Sequence, residues 1–145
     1  MIFSYFDSSV LLAILLEEER QKEAFEYWQN SFRVSSILLK IETMIGLRKT
    51  YERNKHFLEN DWLNKKTKIL DEYLNEVNYM IINDKVEREI YLRKELAMCR
   101  SLDAIHIATA LLFRKMNNGK EAYFYTFDKT MHNIAGHYEF KTNEI

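Results

Sequence analysis

Proline is absent from this chain of 145 residues, and glycine occurs only at Gly46, Gly119 and Gly136. Without those breakers no flexible linker divides the sequence, and long helices are favoured. One domain over residues 1–145 is therefore expected. Cysteine occurs once, as Cys99. An intramolecular disulfide and a cysteine-based zinc site are excluded, and a reducing, cytoplasmic setting fits. Long apolar runs are also missing. The run Val10–Leu16 is too short to cross a bilayer, Asp7 precedes it, and no basic segment leads into it, so neither a signal peptide nor a membrane span is expected. There is no excess of positive charge either, since the net charge is −1 and the pI about 6.4. A nucleic-acid partner would have to be held by local basic clusters, which decide phosphate contact more than the total does.

What is present is an ordinary globular composition, 47% hydrophobic and 30% charged, which argues against disorder. Met1–Phe6 is a strand candidate. Ser8–Leu16 and Glu17–Asn30 are expected as helices, the second burying Ala24, Phe25, Tyr27 and Trp28. A short strand, Arg33–Ser36, leads to a helix capped by Ser36 and running to about Glu52, with Leu38, Ile41, Ile45 and Leu47 or Arg48 at helical spacing. Lys55–Glu76 is expected to be helical, with Phe57, Leu58, Trp62, Ile69, Leu70, Tyr73 and Leu74 on its apolar side. Tyr79–Ile82 is a strand candidate and Asp84–Leu96 a helix. Ser101 is expected to cap a helix Asp103–Arg114 that ends in the turn Asn118–Gly119. Ala122–Thr126 is a strand, Asp128–Ile134 a short helix, and Tyr138–Lys141 an edge strand. Strands alternating with helices imply an α/β fold with a mainly parallel sheet. Ligands of such sheets bind beyond the carboxyl ends of the strands.

Acids stand at that edge. Asp7 and Asp128 follow strands, Asp103 lies in the first turn of the Ser101 helix, and Glu42 lies in the helix after the second strand. Each has a plain structural role open to it. Asp7 and Asp128 suit helix caps, Asp103 suits a helix N-terminus, and Glu42 suits a solvated helix face. Their surroundings argue for more. Glu42 sits within KIETMIGL and Asp103 within SLDAIHIATALL. Carboxylates enter such apolar stretches when paired or metal-bound. No Lys or Arg stands four residues from Asp103 to neutralise it. If the four converge, their repulsion requires a cation. An oxygen-only ligand set selects Mg²⁺ or Mn²⁺ over zinc. Such ions support phosphate chemistry by lowering the pKa of water, a task for which the sequence offers no convincing protein base.

Four segments, FDSSVLLAILLEE, VSSILLKIETMIGLRK, RSLDAIHIATALLFRK and YTFDKTMHNIAG, resemble PIN-domain nucleases, most closely the VapC-type toxins of type II toxin–antitoxin pairs. They fall in the family's order and span nearly the whole chain. The resemblance implies a three-layer α/β/α PIN-like fold. It maps the family's metal-binding and catalytic acids onto Asp7, Glu42, Asp103 (opening the D-A-x-x-x-A-x-A helix) and Asp128 (in T-x-D). It maps supporting hydroxyls onto Ser8 and Thr126. It further implies a Mg²⁺- or Mn²⁺-dependent endoribonuclease, an antitoxin partner and a homodimer. The chain departs from the family in being less basic than many PIN toxins, and residues 54–79 carry little of the pattern.

Lys40, Arg48, Lys49, Arg100 and Lys129 lie near the acids in sequence and could meet RNA phosphates, though a solvated rim is the ordinary fate of such residues. Gly46, four residues after Glu42, either leaves room for substrate or admits a neighbouring helix. His106 is read as a packed core histidine, and the aromatic strand residues as core. The apolar residues Leu11, Leu12, Leu15, Leu16 and Trp28 could serve an antitoxin, a dimer or the core. Three rival functions remain at this level. A PIN nuclease outside toxin–antitoxin systems would use the same acids. A PIN-like binding module would be expected to lack some of them. A phosphoacceptor domain would need paired acids after its first strand, where only Asp7 stands.

Overall fold

The computed structural model describes residues 2–145, so Met1 of the expected first strand lies outside the described residues. The chain runs β1 (Phe3–Phe6), α1 (Ser8–Leu15), α2 (Gln21–Gln29), β2 (Phe32–Ser36), α3 (Ile37–Asn54), α4 (Trp62–Leu74), β3 (Asn78–Met80) and α5 (Asp84–Leu92). A short 3-10 turn, Lys94–Met98, then leads to α6 (Ser101–Met116), β4 (Tyr123–Tyr125), α7 (Lys129–His137) and β5 (Lys141–Thr142). The strands form a sheet in the order β3-β2-β1-β4-β5, and every pairing is parallel. The expected α/β fold with a parallel sheet is the observed one. β1 is central. From it the chain builds outward to β2 and β3 on one side, then returns to add β4 and β5 on the other. The crevice at such a reversal is where parallel sheets bind ligands.

Both faces of the sheet are covered, as parallel sheets require. Phe3, Tyr5, Val34 and Phe124 pack with α5, α6 and α7. Phe6 faces the other way, into a cluster with Val10, Leu11, Leu15, Trp28, Leu39 and Leu70 from α1 to α4. The alternation of Tyr5 and Phe6 is the two-residue period of a strand buried on both sides. Leu11, Leu15 and Trp28 thus belong to the core, not to a free docking face.

Several boundaries and faces differ from expectation. The second helix begins at Gln21 because Glu17, at φ 53°, turns the chain in the left-handed region first. Of its expected core residues Phe25 is exposed. On α3 the buried stripe is Leu39, Thr43 and Leu47, while Ile41 and Ile45 are exposed with Ile37 and Met44. Both faces of this helix are apolar, so periodicity could not choose between them. Gly46 shows which face packs, because a Cβ there would come within 2.8 Å of the Leu12 side chain of α1. The glycine admits a neighbouring helix. The helix expected from Lys55 begins only at Trp62, and Phe57 is 89% exposed. Ser101 is the first residue of α6, not its cap; Arg100 precedes it and provides no capping side chain. Ser36 caps α3 as expected, accepting from Leu38 N at 3.2 Å, and Asn118 and Gly119 turn at positive φ.

Trp28 ties three elements together. It is 1% exposed, its ring packs 4.9 Å from Phe6 and 5.7 Å from Tyr73, and its indole N–H donates to Glu76. Trp28→Ala is expected to cost about 3–5 kcal/mol in urea unfolding. Phe57→Ala, on the same scale, should stay within about 0.5 kcal/mol of the parent. Equal losses at the two positions would contradict this assignment of the core.

Candidate functional site

Asp7 ends β1 and caps α1. Its Oδ1 accepts from Ser9 N at 3.2 Å and from Ser9 Oγ at 2.6 Å. Its Oδ2 accepts from Thr126 Oγ1 at 2.9 Å. Asp128 caps α7, its Oδ1 accepting from Met131 N at 2.8 Å. The Asp128 N–H donates to the same Thr126 hydroxyl at 3.0 Å, so one side chain joins the ends of β1 and β4. Thr126 is fixed in turn by Asn143. That buried amide accepts from Thr126 N and donates to Thr126 O, each at 2.9 Å. Asp103 lies in the first turn of α6. Glu42 reaches from α3 to α6, where its Oε1 accepts from His106 Nε2 at 2.6 Å.

Capping is therefore a real role of Asp7 and Asp128. It leaves the site chemistry open, because a carboxylate has about four lone-pair positions, of which Asp7 uses three and Asp128 one. The sequence offered Ser8 as the hydroxyl beside Asp7; in the structure Ser9 takes that place. Two residues further along puts its hydroxyl back over the carboxylate in the first helical turn, which is ordinary capping geometry.

The electrostatics join the four acids. Asp7 is 4% exposed. Burial pushes its carboxyl up to about 6, and Glu42 adds to this, while His106, Ser9 and Thr126 draw it down. Burial also raises Asp103, with Asp128 and Glu42 acting in the same direction against His106 and Arg100. Among the described residues no Lys or Arg forms a salt bridge with any of the four; the only ion-pair partner is His106, on Glu42. Negative charge thus accumulates at the carboxyl edge of the sheet, offset only in part by His106 and Arg100. Among the described residues, no three His, Cys, Asp or Glu side chains converge on one point as ligands. The acids share a region, but Glu42 is turned to His106, Asp7 to its hydroxyls and Asp128 to its cap.

The basic residues divide into two groups. Arg100 precedes α6 beside Asp103, and Lys129 follows Asp128; both are exposed. Lys40 and Arg48 line a groove between α3 and α4 with Met44, Leu63 and Thr67, and the Lys40 ammonium lies 4.4 Å from the Tyr79 ring centroid. Lys49 is exposed on α3.

Sequence reasoning missed Tyr5, Ser9 and Asn143 as site residues, and it favoured a core role for His106 over a ligand one. His106 is indeed 1% exposed, but its Nδ1 meets Tyr5 Oη at 2.8 Å while Nε2 meets Glu42. Its place three residues after Asp103 was the only local signal. The contact with Glu42 spans 64 residues and has no local signature.

A raised carboxyl gives a signed prediction. Between the ordinary carboxyl range and pH about 6 the folded state binds more protons than the unfolded one, so stability falls as pH rises through that window. In metal-free protein, Asp7→Asn should be the more stable form near neutral pH, by up to about 3 kcal/mol. That advantage should shrink as pH falls through about 6 and 4 and vanish only below about pH 3, where Asp7 is protonated in both states. Urea midpoints measured across this range check it; an advantage independent of pH would contradict the raised carboxyl.

Comparison with known proteins places the geometry. A toxin–antitoxin complex from Klebsiella pneumoniae contains a chain of similar fold, with a TM-score of 0.63 at 23% identity, covering 97% of this chain and 96% of that one. At such identity the likeness is one of fold. No curated protein matches the chain. The family described as PIN domain matches residues 4–137, from β1 through α7, and includes all four acids. On that match, and on the parallel sheet that carries it, the chain belongs to the PIN-domain family.

Proposed function

We propose that this chain is a Mg²⁺- or Mn²⁺-dependent endoribonuclease, the toxin of a toxin–antitoxin pair, and that Asp7, Glu42, Asp103 and Asp128 form its metal site. PIN domains are generally nucleases that use divalent metal ions. The observation that carries the reading to these residues is the incompletely balanced negative charge around buried Asp7, where Asp7 and Asp103 are both raised by burial and by neighbouring acids against His106 and Arg100. A cation would relieve that charge. The donors are carboxylate oxygens, the hard ligands that suit Mg²⁺ and Mn²⁺. Asp7, Glu42, Asp103 and Asp128 would hold the ion, Glu42 keeping Oε1 on His106 and Asp128 keeping Oδ1 on its cap while each offers its second oxygen. When bound, a divalent cation stabilises charge developing on the phosphate and lowers the pKa of water.

The chain's own residues supply the rest. Ser9 and Thr126 fix Asp7 and make it the rigid anchor of the site. Arg100 and Lys129 flank the acids and would meet phosphate oxygens. Lys40, Arg48 and Lys49 would guide a longer strand along α3. His106 is not the general base, because it is buried and both its nitrogens are engaged. The solved toxin–antitoxin complex of like fold supports a cognate antitoxin as partner, and a homodimer is part of the same proposal. Among the described residues no helix is long and apolar enough to cross a membrane.

The test is incubation of purified protein, freed of any co-purified partner, with a mixed structured RNA in Mg²⁺, Mn²⁺ or EDTA. Cleavage should require metal. Asp7→Ala and Asp103→Ala should each lower it by at least about 100-fold, since even outer partners of a metal site are worth 10–100-fold. Cleavage in EDTA, or at the parental rate in either variant, would overturn the assignment.

A further inference from the structure

One buried polar chain is not used by the reading above. Tyr5 lies in the central strand, fully buried, with its ring stacked 5.2 Å from Phe124. Its Oη meets Nδ1 of His106 at 2.8 Å, and Nε2 of His106 meets Oε1 of Glu42 at 2.6 Å. The direction of both bonds follows from chemistry. A carboxylate only accepts, so Nε2 carries the hydrogen that Glu42 receives. In the tautomer with its hydrogen on Nε2, the lone pair lies on Nδ1, and the Tyr5 phenol donates to it. Each group is satisfied, and the chain runs from the sheet core to the acids: Tyr5 to His106 to Glu42.

Glu42 needs such support. Asp7 and Asp128 are held by their own helix ends, through Ser9 and Met131. Glu42 lies inside α3, where no cap can hold it, on a side chain with several free torsions. Among the described residues its carboxylate is hydrogen-bonded through Oε1 alone. Tyr5 and His106 have little freedom, being packed between β1, β4 and α6. Partners of this kind orient the groups that bind a metal and set its affinity.

We propose that Tyr5 and His106 are positioning residues that hold Glu42 among the acids and thereby set the affinity of the site for a divalent cation. The inference rests on the metal-site reading given above. Asp7 and Asp103 would hold the cation directly; His106 and Tyr5 would act only through Glu42. Imidazole and phenol therefore serve here as a hydrogen-bonded strut between the sheet and an acid on a helix.

The test is Mn²⁺ binding in the absence of RNA, read from the paramagnetic resonance signal of free Mn²⁺. His106→Leu is expected to weaken binding about 10–100-fold. His106→Gln keeps a donor and should bind between the parent and the leucine variant. Tyr5→Phe preserves ring packing and should weaken binding in the same direction by a smaller factor. It carries the test if His106→Leu does not fold, as judged by circular dichroism. In a Glu42→Gln background, His106→Leu should cause no further loss, because the residue through which it acts is already gone. The inference is overturned if the folded single variants bind Mn²⁺ within about twofold of the parent, or if His106→Leu costs as much without Glu42 as with it. Failure of the underlying reading looks different: the parent then binds no Mn²⁺, or binds it unchanged after Asp7→Asn.

Discussion

A carboxylate buried at the end of the central strand is the constraint around which this fold is arranged. Asp7 is held in a place where burial works against its charge. A group so placed must be hydrogen-bonded. Ser9 and Thr126 meet that demand from α1 and from the end of β4, and Asn143 fixes Thr126 from beyond β5. The order of three strands is therefore written around one side chain. Misplacing β4 would leave a buried acid with half its partners, a cost of about 1–3 kcal/mol for each group left unsatisfied.

The two cores serve the same arrangement from opposite faces. Tyr5 and Phe6, adjacent in β1, anchor one cluster each. The face carrying α5 to α7 brings Asp103, His106 and Asp128 toward the carboxyl edge. The face carrying α1 to α4 brings Glu42. Gly46 lets α3 pass close to α1, one turn beyond Glu42 on the same helix. Packing and site geometry are thus coupled: the close approach that buries Leu39, Thr43 and Leu47 also sets where Glu42 begins its reach to His106.

The sequence made the skeleton legible because its signals are local. Ser36 as a cap, the Asn118–Gly119 turn and the apolar β1 and β4 all reappear near their expected bounds. The acids were legible as candidates because charged residues inside apolar stretches are informative without any fold. Their mutual influence became visible only in three dimensions. Where the sequence misled, two patterns competed. α3 is apolar on both sides, so Ile41 and Ile45 looked as much like core as Leu39 and Leu47. Phe57 fitted helical spacing on paper but falls in a turn ahead of α4. Tyr5, His106 and Asn143 were illegible for a different reason. Each gains its role from a partner distant in sequence, and no spacing rule reaches across such a gap.

The margins of the sheet have a consequence of their own. β3, at one edge, is three residues long, and β5, at the other, is two. Edges this short offer little unpaired backbone on which another strand could build. Growth of the sheet from one molecule into the next is therefore discouraged from both sides. The exposed apolar side chains lie instead on a helix, α3, through Ile37, Ile41, Met44 and Ile45. The short margins thus leave the outer surface of the molecule to helices and loops, with no open-ended ladder on which a sheet could grow.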